Sequence, residues 1–240
     1  MSLNLLTYGR SLLNSSDLRC ISTATEAVFP NGRYAGFLAA AASPTSIPKL
    51  HGRPEIVVTG RANAGKSTLL NAVVGRRDLM LSSKTPGRTK GLNFFRVGVD
   101  PGKLVLVDAP GYGARGRPEW GSLFDHYLET RTELRRVFVL FNAKHGLNEA
   151  DRLMLQNLDA LCQASGDMRW TLQAIITKVD TVPKQLVATT IPALQKEIFE
   201  IAPTCLPPII TAALKHPRLG IEEIRQSIAE ACGLWGRKGP

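Results

Sequence analysis

The residues best placed to do chemistry stand in "GRANAGKS", where Gly60, Gly65, Lys66 and Ser67 satisfy G-x-x-x-x-G-K-[ST]. That spacing suits a loop that wraps a phosphate. Backbone N–H groups from Asn63 through Ala64, Gly65 and Lys66 to Ser67 can surround a β-phosphate, with the positive end of the following helix behind them. Lys66 would set its ammonium against the β- and γ-phosphates. The Ser67 hydroxyl, followed by Thr68, would ligate Mg²⁺. The alternative is a plain glycine turn before a helix. A β-branched run entering the loop and a helical run leaving it favour the phosphate cradle.

The phosphate loop does not choose a base. "TKVD", Thr177 and Lys178 through Asp180, closes a later apolar run and can choose one. A carboxylate there can accept from both guanine N1–H and N2–H₂. Adenine offers neither donor and would leave Asp180 desolvated and unpaired, a mismatch worth a factor of about 10⁴. Lys178 can lay its methylene stem along the base. Thr211, Ala212 and Ala213 end the next run, where a backbone N–H can donate to guanine O6. Read without its setting, "TKVD" would be only a helix N-cap.

The surrounding pattern is that of a scaffold able to bring these pieces together. "EIVVTG" at 55–60 reads as a buried strand and "KSTLLNAVVG" as a helix ending at Gly75. Runs at 92–98 and 103–109, joined by "VDPG", read as a hairpin. A helix is expected from about Glu119 to Arg136, and a strand at 137–143. Further on, a helix at 148–164 with Asn148 as N-cap, a strand at 171–177, a helix at 184–201 with Pro192 marking a kink or a break into two pieces, a strand at 207–213 and a helix at 220–232 alternate. This is an α/β fold, a P-loop NTPase with a Ras-like G domain. Its six-stranded, mainly parallel sheet has one antiparallel edge strand and helices on both faces. Asp108 and Asp180 fall at carboxyl ends of strands, where open α/β sheets bind ligands.

Composition narrows the class. The chain has 240 residues, with 30 Lys and Arg against 20 Asp and Glu, a formal net charge of +10. Such a balance favours polyanionic partners, nucleic acid before acidic lipid, over a merely solubilising surface. No apolar run approaches the length needed to span a bilayer, "GFLAAAA" at 36–42 being far too short, so no integral membrane segment is expected. Cys20, Cys162, Cys205 and Cys232 form no metal-type spacing, which fits a reducing compartment. Residues 1–24, rich in Ser and Leu with Arg10, Arg19 and the single acid Asp17, read as a flexible extension or transit-peptide remnant. A G domain at 25–233 and a flexible tail at 234–240 complete the expected organisation.

The ordered set GRANAGKS, SSKTPGRTKGLNFF, DAPGYG, TKVD and TAA resembles the EngB (YihA/YsxC) family of ribosome-assembly GTPases over about residues 25–233. The resemblance implies a GTP/GDP switch hydrolysing GTP to GDP and phosphate. Thr89 matches a switch I threonine that completes the Mg²⁺ shell and senses the γ-phosphate. Asp108 matches the acid that holds Mg²⁺ through water, followed by Ala109 and Pro110. The Gly111 N–H should reach the γ-phosphate. Gly87, Arg88, Thr89, Lys90 and Gly91 form the segment expected to order around GTP. Ala109 stands where leucine is common, and Asn142 where bacterial members usually have aspartate. With the long N-terminal extension, these departures suggest a mitochondrial-matrix member; a bacterial cytoplasmic one is the alternative.

Tyr112 occupies the place where Ras-like enzymes carry a water-positioning glutamine, and no arginine finger is evident. Intrinsic hydrolysis should therefore be no faster than about 10⁻³–10⁻⁴ s⁻¹. In the related group an asparagine at the Asn63 position helps to bind K⁺ beside the phosphates, which would supply the missing charge. The competing reading of Asn63 is a loop residue tolerating an unusual backbone. Asn63, Lys66, Thr89 and Gly111 are thus the expected catalytic set. Lys84, Arg88, Lys90, Arg115, Arg117, Arg131, Arg135 and Arg136 would grip rRNA phosphates. The resemblance implies a monomer that binds a maturing large ribosomal subunit in the GTP state and leaves after hydrolysis. A nucleotide-gated scaffold for a protein or membrane partner, with little hydrolysis, is the alternative.

Overall fold

A computed structural model describes residues 25–29, 34–80, 91–112, 118–164 and 170–234. Its strands are β1 (Gly36–Ala41), β2 (Glu55–Gly60), β3 (Leu92–Val97), β4 (Leu104–Asp108), β5 (Leu134–Asn142), β6 (Thr171–Thr177) and β7 (Leu206–Ile210). The helices are α1 (Lys66–Val74), α2 (Pro118–Thr130), α3 (Glu149–Ala164), α4 (Lys184–Ile201) and α5 (Ile221–Ala231).

Alternation along the strands builds two cores. In β2, Ile56 and Val58 join the cluster containing Leu69, Leu70 and Val73 of α1 and Ile224 and Ile228 of α5. Val57, between them, joins Leu123 and Tyr127 of α2, Leu155 of α3 and Leu194 of α4. In β4, Leu104 and Leu106 point to the first cluster, and Val105 and Val107 to the second. A strand with both faces apolar must be covered on both sides, so helices flank the sheet. Each fully buried aliphatic side chain contributes about 1.5–3 kcal/mol.

The sheet runs β1-β3-β4-β2-β5-β6-β7. β4, β2, β5, β6 and β7 are mutually parallel. The expected hairpin is present, β3 pairing antiparallel with β4. The expectation of six strands is corrected to seven: β1, the "GFLAAA" run, adds antiparallel to β3 and takes the edge. Its alanines have weak strand propensity. A register shift between Phe37 and Ala39 breaks the alternation by which a strand is recognised.

A second correction concerns α2 and β5. The helix stops at Thr130 rather than near Arg136, and β5 begins at Leu134. The cause is a buried acid. Glu55 is fully buried, accepts from the Tyr127 hydroxyl at 2.7 Å, and is gripped by Arg131, whose Nε lies 3.0 Å from each carboxylate oxygen. Arg131 also donates to the Pro48 carbonyl at 3.0 Å. Arg136 is buried in β5 and donates to Thr171 Oγ1 at 2.9 Å and to the Ser227 carbonyl at 2.7 Å. Arg135 donates to the Thr132 carbonyl at 2.7 Å. Arg131 and Arg136 are structural cations, so the expected basic helix end does not exist.

Other local expectations match. Gly75 caps α1 at φ 74°. Asn148 caps α3 reciprocally: its Oδ1 accepts from the Asp151 N–H, and Asp151 Oδ2 accepts from the Asn148 N–H, both at 3.0 Å. One is corrected: the helix is not broken into two pieces at Pro192, which sits inside one continuous helix, α4. Among the described residues no helix is long and apolar enough to cross a membrane.

Candidate nucleotide site

The loop between β2 and α1 has the shape its sequence requires. Gly60 takes φ 155°, and a Cβ there would lie 2.9 Å from the Leu140 carbonyl oxygen. Asn63 and Gly65 both adopt left-handed backbone, at φ 63° and 100°. The first N–H groups of α1, at Lys66, Ser67 and Thr68, lie where a helix has no acceptor of its own. Lys66 folds its ammonium across the loop, donating to the Gly60 carbonyl at 2.8 Å and the Arg61 carbonyl at 3.3 Å. Burial pulls its pKa down, and Asp108 opposes that shift.

Asp108 ends β4 beside the loop and is 4 % exposed. Burial pushes its carboxyl up to about 6, against the pull of Lys66. Its Oδ1 is the one buried side-chain polar atom without a hydrogen-bond partner among the described residues. An unpartnered buried carboxylate oxygen at the phosphate loop suits a hard, oxygen-seeking cation. Among the described residues no three His, Cys, Asp or Glu side chains converge so as to hold a metal ion by themselves.

Gly111 is pressed onto the loop: a Cβ on it would sit 3.0 Å from the Ala62 nitrogen and 3.3 Å from the Gly60 oxygen. Ala109 is buried, and its N–H donates to the Val58 carbonyl at 3.0 Å. Tyr112, next in line, turns its hydroxyl to Asp151 Oδ1 at 2.9 Å. Arg61 of the phosphate loop reaches the same carboxylate, 2.8 Å from Oδ2. Burial and the Asp151 charge raise the Tyr112 phenol far above its usual range. Sequence reasoning missed Arg61 and Asp151. The capping pattern Asn148-x-x-Asp151 was legible, but the distant partners of its acid were not.

The residues expected to read the base are fastened to the phosphate loop. Thr177 donates its hydroxyl to the Ala64 carbonyl at 2.7 Å, and Lys178 its ammonium to the Asn63 carbonyl at 2.8 Å. Lys178 takes left-handed backbone at φ 57°, which starts the single turn Val179–Thr181. Asp180, in that turn, is exposed, and no described residue bonds to its carboxylate. At the end of β7, the Thr211 N–H donates to the Ile176 carbonyl at 2.8 Å and the Ala212 N–H to the Leu219 carbonyl at 3.2 Å. Ala213 is left with the N–H that has no acceptor among the described residues.

Gly87, Arg88, Thr89 and Lys90 lie outside the described residues, as do Lys84, Arg115, Arg117 and the segment 1–24. The posts on either side of 81–90 are well defined. Asn71 of α1, another residue sequence reasoning left without a role, clasps Met80: its Oδ1 accepts the Met80 N–H at 2.9 Å and its Nδ2 donates to the Met80 carbonyl at 2.8 Å. At the far post, a Cβ on Gly91 would fall 2.0 Å from the Ala41 carbonyl oxygen.

A phosphate loop at the head of α1, a buried acid at the end of β4 and a free carboxylate after β6 define a P-loop GTPase of the G-domain class. Residues 55–189 match the family model described as 50S ribosome-binding GTPase. The chain belongs to the EngB family of GTP-binding proteins. It is 34 % identical over 191 residues to the probable GTP-binding protein EngB of Bartonella bacilliformis, covering 75 % of this chain and 85 % of that one. It is 36 % identical over 201 residues to that of Rhodopseudomonas palustris, covering 80 % and 86 %. Among solved structures, Era in complex with MgGDPNP and nucleotides 1506–1542 of 16S ribosomal RNA superposes with a TM-score of 0.55 at 20 % identity, covering 74 % of this chain and 56 % of that one. Toc33 from Arabidopsis thaliana, in complex with Mg²⁺ and GMPPNP, has a TM-score of 0.55 at 13 % identity, covering 76 % and 85 %. At these identities the structural likenesses speak for the fold.

Proposed function

We propose that the chain is a GTP-driven switch in ribosome biogenesis, which docks on a maturing large ribosomal subunit when loaded with GTP and leaves after hydrolysis. The observation that carries the guanine reading is Asp180: a free carboxylate, fixed beside the phosphate loop by the bonds of Thr177 and Lys178 to Ala64 and Asn63. The ribosomal reading draws on the description of the matching family model and on the family itself. The two EngB relatives named above are bacterial. A mitochondrial address rests on the composition of residues 1–24, and the G domain is read as spanning 25–233.

In this reading Asp180 accepts from guanine N1–H and N2–H₂, and the Ala213 N–H donates to O6. The N–H groups from Asn63 to Ser67, with Thr68 behind them, hold the phosphates. Lys66 exchanges its loop carbonyls for β- and γ-phosphate oxygens. Ser67 and Thr89 would hold Mg²⁺, with Asp108 serving it through water. Bound there, the ion neutralises charge on the phosphate oxygens. Gly111 offers its N–H to the γ-phosphate, and residues 87–91 order around it. Hydrolysis is slow because Tyr112 is held by Asp151 and has no carboxamide to orient water. Asn63, in left-handed backbone, is the candidate ligand for a K⁺ ion that would add positive charge. If so, single-turnover hydrolysis will be faster in KCl than in NaCl, and Asn63→Ala will abolish the difference.

The docking reading is tested by sedimenting the full chain with ribosomal particles in a GTP analogue and in GDP. The analogue should drive the chain into the large-subunit fraction. Equal pelleting with both nucleotides would remove the switch. Tight nucleotide binding without pelleting would favour the nucleotide-gated scaffold, a reading that the occupied Tyr112 hydroxyl also suits.

A further inference from the structure

The expected rRNA grip on Arg131 and Arg136 is lost, because both guanidiniums are engaged inside the fold. Four of the described cations that remain free lie elsewhere, at one edge of the sheet. β5, β6 and β7 are neighbours in the sheet, so the loops leaving their carboxyl ends lie in a row. Lys144 follows β5, Lys184 follows the turn after β6, and Lys215 and Arg218 follow β7. All four are exposed, and none has an ion pair or side-chain hydrogen bond among the described residues. From Ile201 to Ile221 the chain carries no acid.

The last of these loops is built rather than slack. Ala212 and Leu219 exchange backbone hydrogen bonds of 3.2 and 3.3 Å, which close its root. Gly220 locks the exit at φ 76°, where a Cβ would fall 2.2 Å from the Ile210 carbonyl oxygen. At the tip, Leu214 is 78 % exposed, the most exposed large apolar side chain among the described residues. A braced loop that offers two unpaired cations and the exposed Leu214 has little freedom left to lose on binding. Its chemistry matches a nucleic-acid backbone: cations for phosphates and an apolar contact for a sugar or base face. A lipid surface is a poorer match, because the loop has no amphipathic helix to lay into an interface.

We propose that the 213–219 loop is an RNA-backbone contact of this chain. The inference deepens the ribosomal reading and rests on it for the kind of RNA. The loop springs from Thr211–Ala213, so guanine and RNA engage the two ends of one short segment. The base-reading turn and the RNA surface are thereby mechanically joined.

The test uses the full chain with Mg²⁺ and a GTP analogue, titrated into a fluorescein-labelled rRNA hairpin at several salt concentrations. Lys215→Ala with Arg218→Ala should weaken binding about tenfold or more and lower the slope of log K against log[salt] by about 2. Nucleotide affinity should be unchanged. Lys103→Ala with Lys196→Ala removes the same charge away from the loop and should lower affinity much less. Leu214→Ala should weaken binding without moving the salt slope. Equal losses in both double variants, or no RNA binding by the wild type, would overturn the inference. The same variants sedimented with ribosomal particles separate the two readings. Hairpin binding that depends on the loop, without particle binding, keeps the loop and loses the ribosome. Particle binding indifferent to the loop keeps the ribosome and loses the loop. Loss of particle binding with intact hairpin binding would assign the loop to a ribosomal protein and overturn the RNA contact.

Discussion

The Tyr112 hydroxyl lies 2.9 Å from Asp151, and Arg61 of the phosphate loop holds the same carboxylate. One buried acid thus joins the phosphate loop, the segment after β4 and the cap of α3. Tyr112→Phe removes a hydrogen bond to a charged, buried acceptor and should cost about 1.5–3 kcal/mol, read as a lower melting temperature. The GTP hydrolysis rate should change less than about threefold, since the hydroxyl points to Asp151 rather than to the reacting phosphate. A collapse of the rate would place the hydroxyl in the chemistry. Asp151→Ala should cost more, because it strips partners from Arg61, Tyr112 and Asn148 together.

Asp108 sets a pH dependence for the metal-free and nucleotide-free protein. Burial raises its carboxyl from 3.8 to about 6. A raised acid binds its proton more tightly folded than unfolded, so stability falls as pH rises from about 4 to about 6 and then levels. The full effect is about 3 kcal/mol. Asp108→Asn should flatten that part of the curve in chemical denaturation at graded pH. A slope unchanged by the substitution would assign it to another group.

Thr177 and Asp180 should separate affinity from base choice. Thr177→Val keeps the side chain's size but drops the donor to the Ala64 carbonyl. It should weaken GTP and GDP alike, by about tenfold, as a lost hydrogen bond with an unpaired buried partner does. Asp180→Ala should narrow the preference for GTP over ATP by a factor of about 10² or more. Competition titrations with both nucleotides read the two effects. A preference intact in Asp180→Ala would move base recognition elsewhere.

Asn71 should matter for stability well beyond its size. Asn71→Ala leaves the buried Met80 N–H and carbonyl without the partners they have now. The expected loss is about 2–4 kcal/mol, one to two orphaned groups. Because Met80 adjoins residues 81–90, limited proteolysis of the GTP-analogue complex should also cut faster there. Wild-type melting and proteolysis together would show that the clasp is dispensable.

The sequence by itself determined the phosphate loop, the acid after β6 and the two-faced alternation that stacks helices on both sides of the sheet. These are local: a loop bound to a phosphate, a strand's period of two and a capping asparagine are all written in residues a few positions apart. Tertiary structure alone decided which charges are free. Arg131 and Arg136 read as surface cations until Glu55, Thr171 and Ser227, distant in the chain, fold around them. Arg61 and Asp151, some ninety residues apart, meet only when β2 and β5 pair and bring the head of α3 to the phosphate loop. The Ala212 N–H is free in the sequence and bonded in the fold, to the Leu219 carbonyl. A side chain's type fixes which partners it can take; only packing fixes which it has, because burial leaves each polar group bonded to whatever the fold brings within reach.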